Sequence, residues 1–215
     1  MHAKTKQITV IAMLCALAFA AVAFCRIPVV LFLKYEPKDA VIAIGGFMFG
    51  PLTALIASLL VSVLEMLLLS DTGLYGLLMN VLSTCAFVLP AALIYRRRHT
   101  AGGAVLGLLI GSLLMVATML LWNWLIVPLY TGTPREKVAE MLLPTFLPFN
   151  LLKSGLNAAI TLLLYKPVIT AFRKAHLIPT PPGGEKAQAK IGLLAGALAL
   201  LAVSVILMLV LAGVL

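Results

Sequence analysis

Charge is scarce in this chain: only 11% of its 215 residues are Asp, Glu, Lys or Arg, against about a quarter in an ordinary soluble domain. With 63% of residues apolar and a mean hydropathy of +1.14, a water-soluble fold is excluded. Cysteine is equally sparse. Cys15, Cys25 and Cys85 all fall in apolar runs, and their odd number and spacing suit neither a disulfide framework nor a zinc site. They read as small packing residues. His2, His99 and His176 lie in or near charged segments, and the chain holds no H-E-x-x-H, no G-x-S-x-G and no G-x-x-x-x-G-K-[ST]. Those absences leave no catalytic residue, no metal site, no cofactor and no phosphate loop with which the chain could use ATP itself. The net charge of +9 comes from short basic clusters between apolar runs, without the stripe interleaved with aromatics that would mark a nucleic-acid surface.

What is present is apolar length. A helix needs about 20 mostly apolar residues to cross a bilayer, and the runs place crossings at 8–25, 40–49, 51–69, 73–95, 101–130, 145–172 and 191–215. The second is short. Gly50-Pro51 and Asp71-Thr72-Gly73 supply reversals, and Pro179, Pro181, Pro182, Gly183 and Gly184 mark 176–190 as a polar linker. Lys4 and Lys6 before the first run, with Ala21-Val22-Ala23 near its end, resemble a signal peptide. The later crossings need no such signal, and Phe24 is too bulky before Cys25 for a lipoprotein site.

Ten of the 16 Lys and Arg residues fall on one side of these crossings: Lys4, Lys6, Arg96, Arg97, Arg98, Lys166, Arg173, Lys174, Lys186 and Lys190. The positive-inside rule then puts the N-terminus in the cytoplasm of a multi-pass cell-membrane protein, and the end of the seventh span outside. Two external segments, Arg26 to Asp39 and Thr131 to Pro144, are too long and apolar for simple turns. Either they fold over the outer mouth as a lid, or they lie as amphipathic stretches on the outer leaflet.

Polar groups within spans are costly and mark functional positions. Counting along each helix puts Glu65, Asn80, Asn123, Asn150 and Lys153 about 6 to 12 Å deep and Asn157 near the midplane. Asn150, Lys153 and Asn157 share one face of the sixth helix. Together with Asn123 they can line an outward-open pocket for a flat polar heterocycle, with Trp122, Trp124, Tyr35 and Phe149 as the apolar wall. In the competing reading the amides bond neighbouring helices, Lys153 pairs with Glu65, and the tryptophans are interfacial belt residues. The shared depth and face favour a site. Ala12, Ala16 and Ala20, spaced by four, give the first helix a smooth side; spacing alone puts that side inside the bundle.

The runs Phe32-Leu33-Lys34-Tyr35 with Asp39, Gly46-Phe47-Met48-Phe49-Gly50-Pro51, Asn123 before Pro128, and above all Pro148-Phe149-Asn150-Leu151-Leu152-Lys153 resemble the riboflavin-binding branch of the S components of energy-coupling-factor (ECF) transporters. The resemblance covers about residues 8 to 175. It implies an all-α integral membrane protein: a six-helix S-component bundle, here carrying an additional C-terminal transmembrane helix. It further implies that Asn150, Lys153 and Asn123 bond riboflavin as the transported ligand and that Lys34, with Tyr35 and its loop, closes over it. Asp39, Glu65 and Asn80 are secondary candidates. Ala12, Ala16 and Ala20 would dock the transmembrane T component, which works with two ATPase subunits. The chain then divides into a substrate-binding domain at 1–175, a cytoplasmic linker at 176–190 and an extra helix at 191–215. Biotin and thiamine binders share the fold, and a free-standing secondary transporter is the alternative from another class, although neither inverted repeats nor a midplane ion site is apparent.

Overall fold

The computed structural model describes residues 3–69, 72–177 and 191–213; most of the predicted linker, from 178 to 190, and Asp71 of the predicted turn lie outside the described residues. Among the described residues the protein is an all-α membrane protein apart from one small hairpin. Helix α1 (Ala3–Phe24) leads into strands β1 (Ile27–Val30) and β2 (Leu33–Tyr35), followed by α2 (Lys38–Phe49), α3 (Pro51–Leu68), α4 (Gly73–Arg98) and α5 (Ala101–Thr131). Then come α6 (Arg135–Met141), a π-helical turn at Leu142–Phe146, α7 (Leu147–Lys174) and α8 (Ile191–Leu211).

Local chemistry fixes the boundaries. Gly50, at φ +94°, takes a backbone conformation that side chains rarely adopt, and Pro51 follows where its missing N–H costs nothing, so α2 reverses directly into α3. The Thr100 side chain accepts from Gly103 N–H at 3.0 Å and caps α5. Arg96, Arg97 and Arg98 end α4 where the helix dipole favours cations.

Six helical stretches among the described residues are long and apolar enough to cross a bilayer: Thr5–Phe24, Pro51–Leu68, Gly73–Arg98, Ala101–Thr131, Arg135–Lys174 and Ile191–Leu211. The predicted second crossing is not among them. Helix α2 has 12 residues, about 18 Å at 1.5 Å per residue, against a hydrocarbon core of about 30 Å. The hairpin and the Glu36-Pro37 link lead into this helix, and Lys38 and Asp39 begin α2 already buried inside the bundle.

The two segments read together as lids part company. In the first, antiparallel strands pair Ile27 with Tyr35 and Pro28 with Lys34. Val29, Leu33 and Tyr35 pack onto Val127, Phe149 and Leu152, so the hairpin seats on the bundle and does not lie on the leaflet. The second joins α7 without a break through the π turn, and of α6 only Val138 is buried.

Helices α4 and α5 approach closely along Gly107 and Gly111, where an added Cβ would meet the Ala91 carbonyl oxygen at 2.9 Å and that of Phe87 at 2.2 Å. Helix α8 lies along α7, burying Ala197 and Ser204, the latter opposite Gly155. On α1 the bundle takes Val10, Leu14, Cys15, Ala18 and Val22. Ala12 and Ala16 are exposed and Ala20 half-buried, which overturns the inward packing that spacing alone suggested for that face. Cys25 is also exposed, so only Cys15 is a buried packing cysteine, with Cys85 intermediate.

Candidate functional site

Past the end of α1 the chain carries the buried Glu36, Lys38 and Asp39 and the partly buried Arg26 into the bundle, and burial obliges each charge to find a partner. The Arg26 guanidinium donates to Glu36 Oε1 at 2.7 Å, to Glu65 Oε1 at 3.0 Å and to the Leu69 carbonyl at 2.9 Å. Lys38 sits between Glu36, at 3.3 Å, and Glu65, to which it also donates. Burial alone would raise the Glu36 carboxyl, but Lys38, Lys153 and Arg26 outweigh it and hold that group below its ordinary range. Asp39 accepts from Thr84 Oγ1 at 2.7 Å and from Asn157 Nδ2 at 3.5 Å, and faces Lys153 Nζ at 3.8 Å. Paired charges thus tie the segment around the hairpin, α2, α3 and α7 together, and the Thr84 hydroxyl joins α4 to them.

Above this network lies a cavity of about 280 Å³, close to the lower end of ligand-pocket sizes, about 300 Å³. Its polar wall is formed by Asn80 and Ser83 of α4, Asn123 of α5, and Asn150 and Lys153 of α7, with Arg26, Glu36 and Glu65 at one side. Its apolar wall holds Phe32 and Leu33 of the hairpin, Tyr75, Met79, Met119, Tyr130 and Phe149. Phe32 meets Tyr130 edge-on at 5.9 Å, and Tyr130 stacks on Tyr75 at 5.9 Å, so three rings from three elements brace one another.

Asn123 is the most informative group here. It is fully buried, and both its side-chain oxygen and its nitrogen lack a hydrogen-bond partner among the described residues. A buried amide left this way costs free energy unless something in the cavity satisfies it. Asn150 uses Nδ2 on the Phe146 carbonyl at 2.8 Å, which frees its oxygen as an acceptor. Lys153 spends one N–H on Ser83 Oγ, at a long 3.4 Å. The wall therefore offers donor, acceptor and cation over a short span.

Of the residues singled out from sequence, Lys34, Glu65, Asn80, Asn123, Asn150 and Lys153 come together around this cavity. Tyr35 and Asp39 do not line it: Tyr35 turns its hydroxyl to Asn157 at 3.5 Å, and Asp39 lies behind Lys153. Lys153 pairs with Asp39 and not with Glu65, because Arg26 and Lys38 already take Glu65. Among the aromatics proposed as a wall only Phe149 serves; Trp124 is exposed beneath Arg135, 5.8 Å away, in the manner of an interfacial belt residue. The roles of Arg26, Glu36, Ser83, Tyr75 and Tyr130 were missed. For Arg26 and Glu36 the available signal was the density of charge between residues 26 and 39, which as plain loop charge needs no explanation.

The chain matches the family model of the ECF transporter substrate-specific component over residues 6–165. It is 27% identical over 190 residues to the riboflavin transporter FmnP of Bacillus subtilis (strain 168), covering 81% of this chain and 99% of that one. To the riboflavin transporter RibU of Staphylococcus aureus (strain TCH60) it is 24% identical over 172 residues, 76% of this chain and 90% of the other. A solved S component of a bacterial ECF transporter superposes with a TM-score of 0.67 at 25% identity, over 79% of this chain and 99% of that structure. The family model spans every cavity-lining residue named above, and α8 lies beyond it. The family is one of transport components and not of enzymes, and by a match covering most of its length this chain belongs to the substrate-specific components, or S components, of ECF transporters.

Proposed function

We propose that the chain binds riboflavin in the cavity beneath the hairpin, on the outer side of the membrane, and is the specificity subunit of an importer completed by a T component and two ATPase subunits. The observation that carries this reading is the orphaned amide of Asn123, facing a cavity whose other polar groups are Asn150 and Lys153. The pyrimidine edge of an isoalloxazine ring alternates carbonyl acceptors with an N–H donor, which is the pattern an asparagine and a lysine on neighbouring helices can answer. Its aromatic faces suit the wall of Phe32, Tyr75 and Tyr130. The named relatives are riboflavin transporters, which supports the same choice of vitamin.

In this reading the N-terminus is cytoplasmic, as the basic loop residues favour, and the hairpin bearing Lys34 closes the site from outside. The exposed Ala12 and Ala16, with Ala20, form the smooth face offered to the T component. The chain has no phosphate loop, so the energy for release inward comes from the ATPase partners.

The test is titration of the detergent-purified protein with riboflavin, followed by quenching of flavin fluorescence, for the wild type and for Asn123→Leu and Lys153→Gln. Saturable quenching by the wild type that weakens in both variants is expected. Folded wild-type protein that leaves riboflavin fluorescence unchanged but binds biotin or thiamine would transfer the assignment to that vitamin.

A further inference from the structure

We infer that Asp39 is a positioning residue for the ligand-binding ammonium of Lys153 and is not itself a ligand contact. This rests on the riboflavin site proposed above and assigns a role within it. Lys153 Nζ stands at the cavity wall with two long contacts, 3.4 Å to Ser83 Oγ and 3.8 Å to Asp39 Oδ2. An ammonium has three N–H donors, so one remains for the ligand. With only long contacts of its own, a four-carbon side chain stays at the wall only if something behind it holds the charge in place.

Asp39 is built to do that. Its carboxylate is fully buried at the start of α2, outside the cavity, and its two oxygens are held separately: Oδ1 by Thr84 Oγ1 at 2.7 Å and Oδ2 by Asn157 Nδ2 at 3.5 Å. The neighbouring carboxylates are committed elsewhere. Glu36 and Glu65 each pair with both Arg26 and Lys38; Lys153 acts on Glu36 at longer range, and among the described residues Asp39 is the acid within ion-pair distance of it, at 3.8 Å. Thr84 of α4 and Asn157 of α7 aim Asp39, and Asp39 in turn fixes Lys153. Without the carboxylate the buried ammonium would turn toward other acceptors, and the ligand would lose the charge-assisted bond.

A double-mutant cycle on riboflavin affinity tests this, with Asp39→Asn, Lys153→Gln and the pair measured by fluorescence quenching on folded, monodisperse protein. Each single variant is expected to weaken binding about ten- to a hundredfold, the usual cost of a hydrogen bond to a charged group. The pair is expected to be no weaker than Lys153→Gln alone, since Asp39 acts only through Lys153. Losses that multiply, or Asp39→Asn binding like the wild type, would overturn the assignment. Should Asp39→Asn fail to fold, Thr84→Val carries the test, because it keeps every charge and only releases the carboxylate. It should weaken binding in the wild type and have no effect in the Lys153→Gln background, and an equal effect in both would overturn the inference. A wild type that does not bind riboflavin removes the underlying site reading; a wild type that binds while the cycle is additive removes only the role of Asp39.

Discussion

Arg26, just past the end of α1, reaches Glu65 near the end of α3 at 3.0 Å, and Glu65 accepts from Lys38 on its other oxygen. One carboxylate thus holds two cations from a segment that the sequence alone treats as an external loop. Removing it leaves Lys38, which is fully buried, with Glu36 as its one ion-pair partner among the described residues. Glu65→Leu is expected to destabilise the protein by about 3 to 5 kcal/mol, the usual cost of breaking a buried pair from one side. Thermal unfolding in detergent reads this, and the Glu65→Leu, Lys38→Met double variant should recover much of the loss. A double variant as unstable as the sum of both singles would refute the pairing.

Asn123 allows a prediction in which stability and affinity move in opposite directions. Its amide is buried and unpartnered among the described residues, so Asn123→Leu removes a desolvated polar group of about 1 to 3 kcal/mol at nearly constant volume. The unliganded variant should melt higher than the wild type while its riboflavin affinity falls at least about tenfold. A group that served only to tie helices together would lose stability on the same change.

Much of the fold is legible in the sequence because lipid imposes one rule, the continuous apolar run, and the Gly50-Pro51 reversal and basic helix ends punctuate it. The depth count brought Asn80, Asn123, Asn150, Lys153 and Glu65 to one cavity for the same reason: helical rise converts sequence position into depth. That count fails where the chain is not helical. The hairpin leads into the bundle, where Lys38 and Asp39 are the first residues of α2, so charges that position along the chain assigned to water are buried and paired. The aromatic wall was misjudged because tryptophan in a span has a strong interfacial preference, whereas Tyr75 and Tyr130 meet only through the packing of α4 on α5.

Helices α4 and α5 owe their closeness to Gly107 and Gly111, and a side chain at Gly111 would strike the Phe87 carbonyl oxygen, which is backbone and cannot swing away. Gly111→Ala is expected to cost about 1 to 3 kcal/mol or more as overpacking. Gly102 on the same helix faces open space, and Gly102→Ala should be neutral or slightly stabilising because alanine is the better helix former. Thermal melts of the two variants side by side check this; equal effects would mean the close approach is not what the glycine serves.

Helix α8 lies outside the matched family region, yet it buries Ser204 against Gly155 of α7. A Cβ at position 155 would stand 3.8 Å from the Ser204 Cβ, the mean separation in disulfides, about 3.8 Å. The Gly155→Cys, Ser204→Cys pair should therefore cross-link under mild oxidation, read as a mass loss of two hydrogens and protection of both thiols from alkylation. Gly155→Cys with Ile206→Cys should not, since Ile206 is on the exposed side of α8. Cross-linking of the first pair alone establishes that α8 rides on α7 in the membrane. If the locked protein still imports riboflavin with its partners, any reorientation during transport carries α8 along as part of the moving body; if import stops while binding survives, α8 must detach from α7 for release.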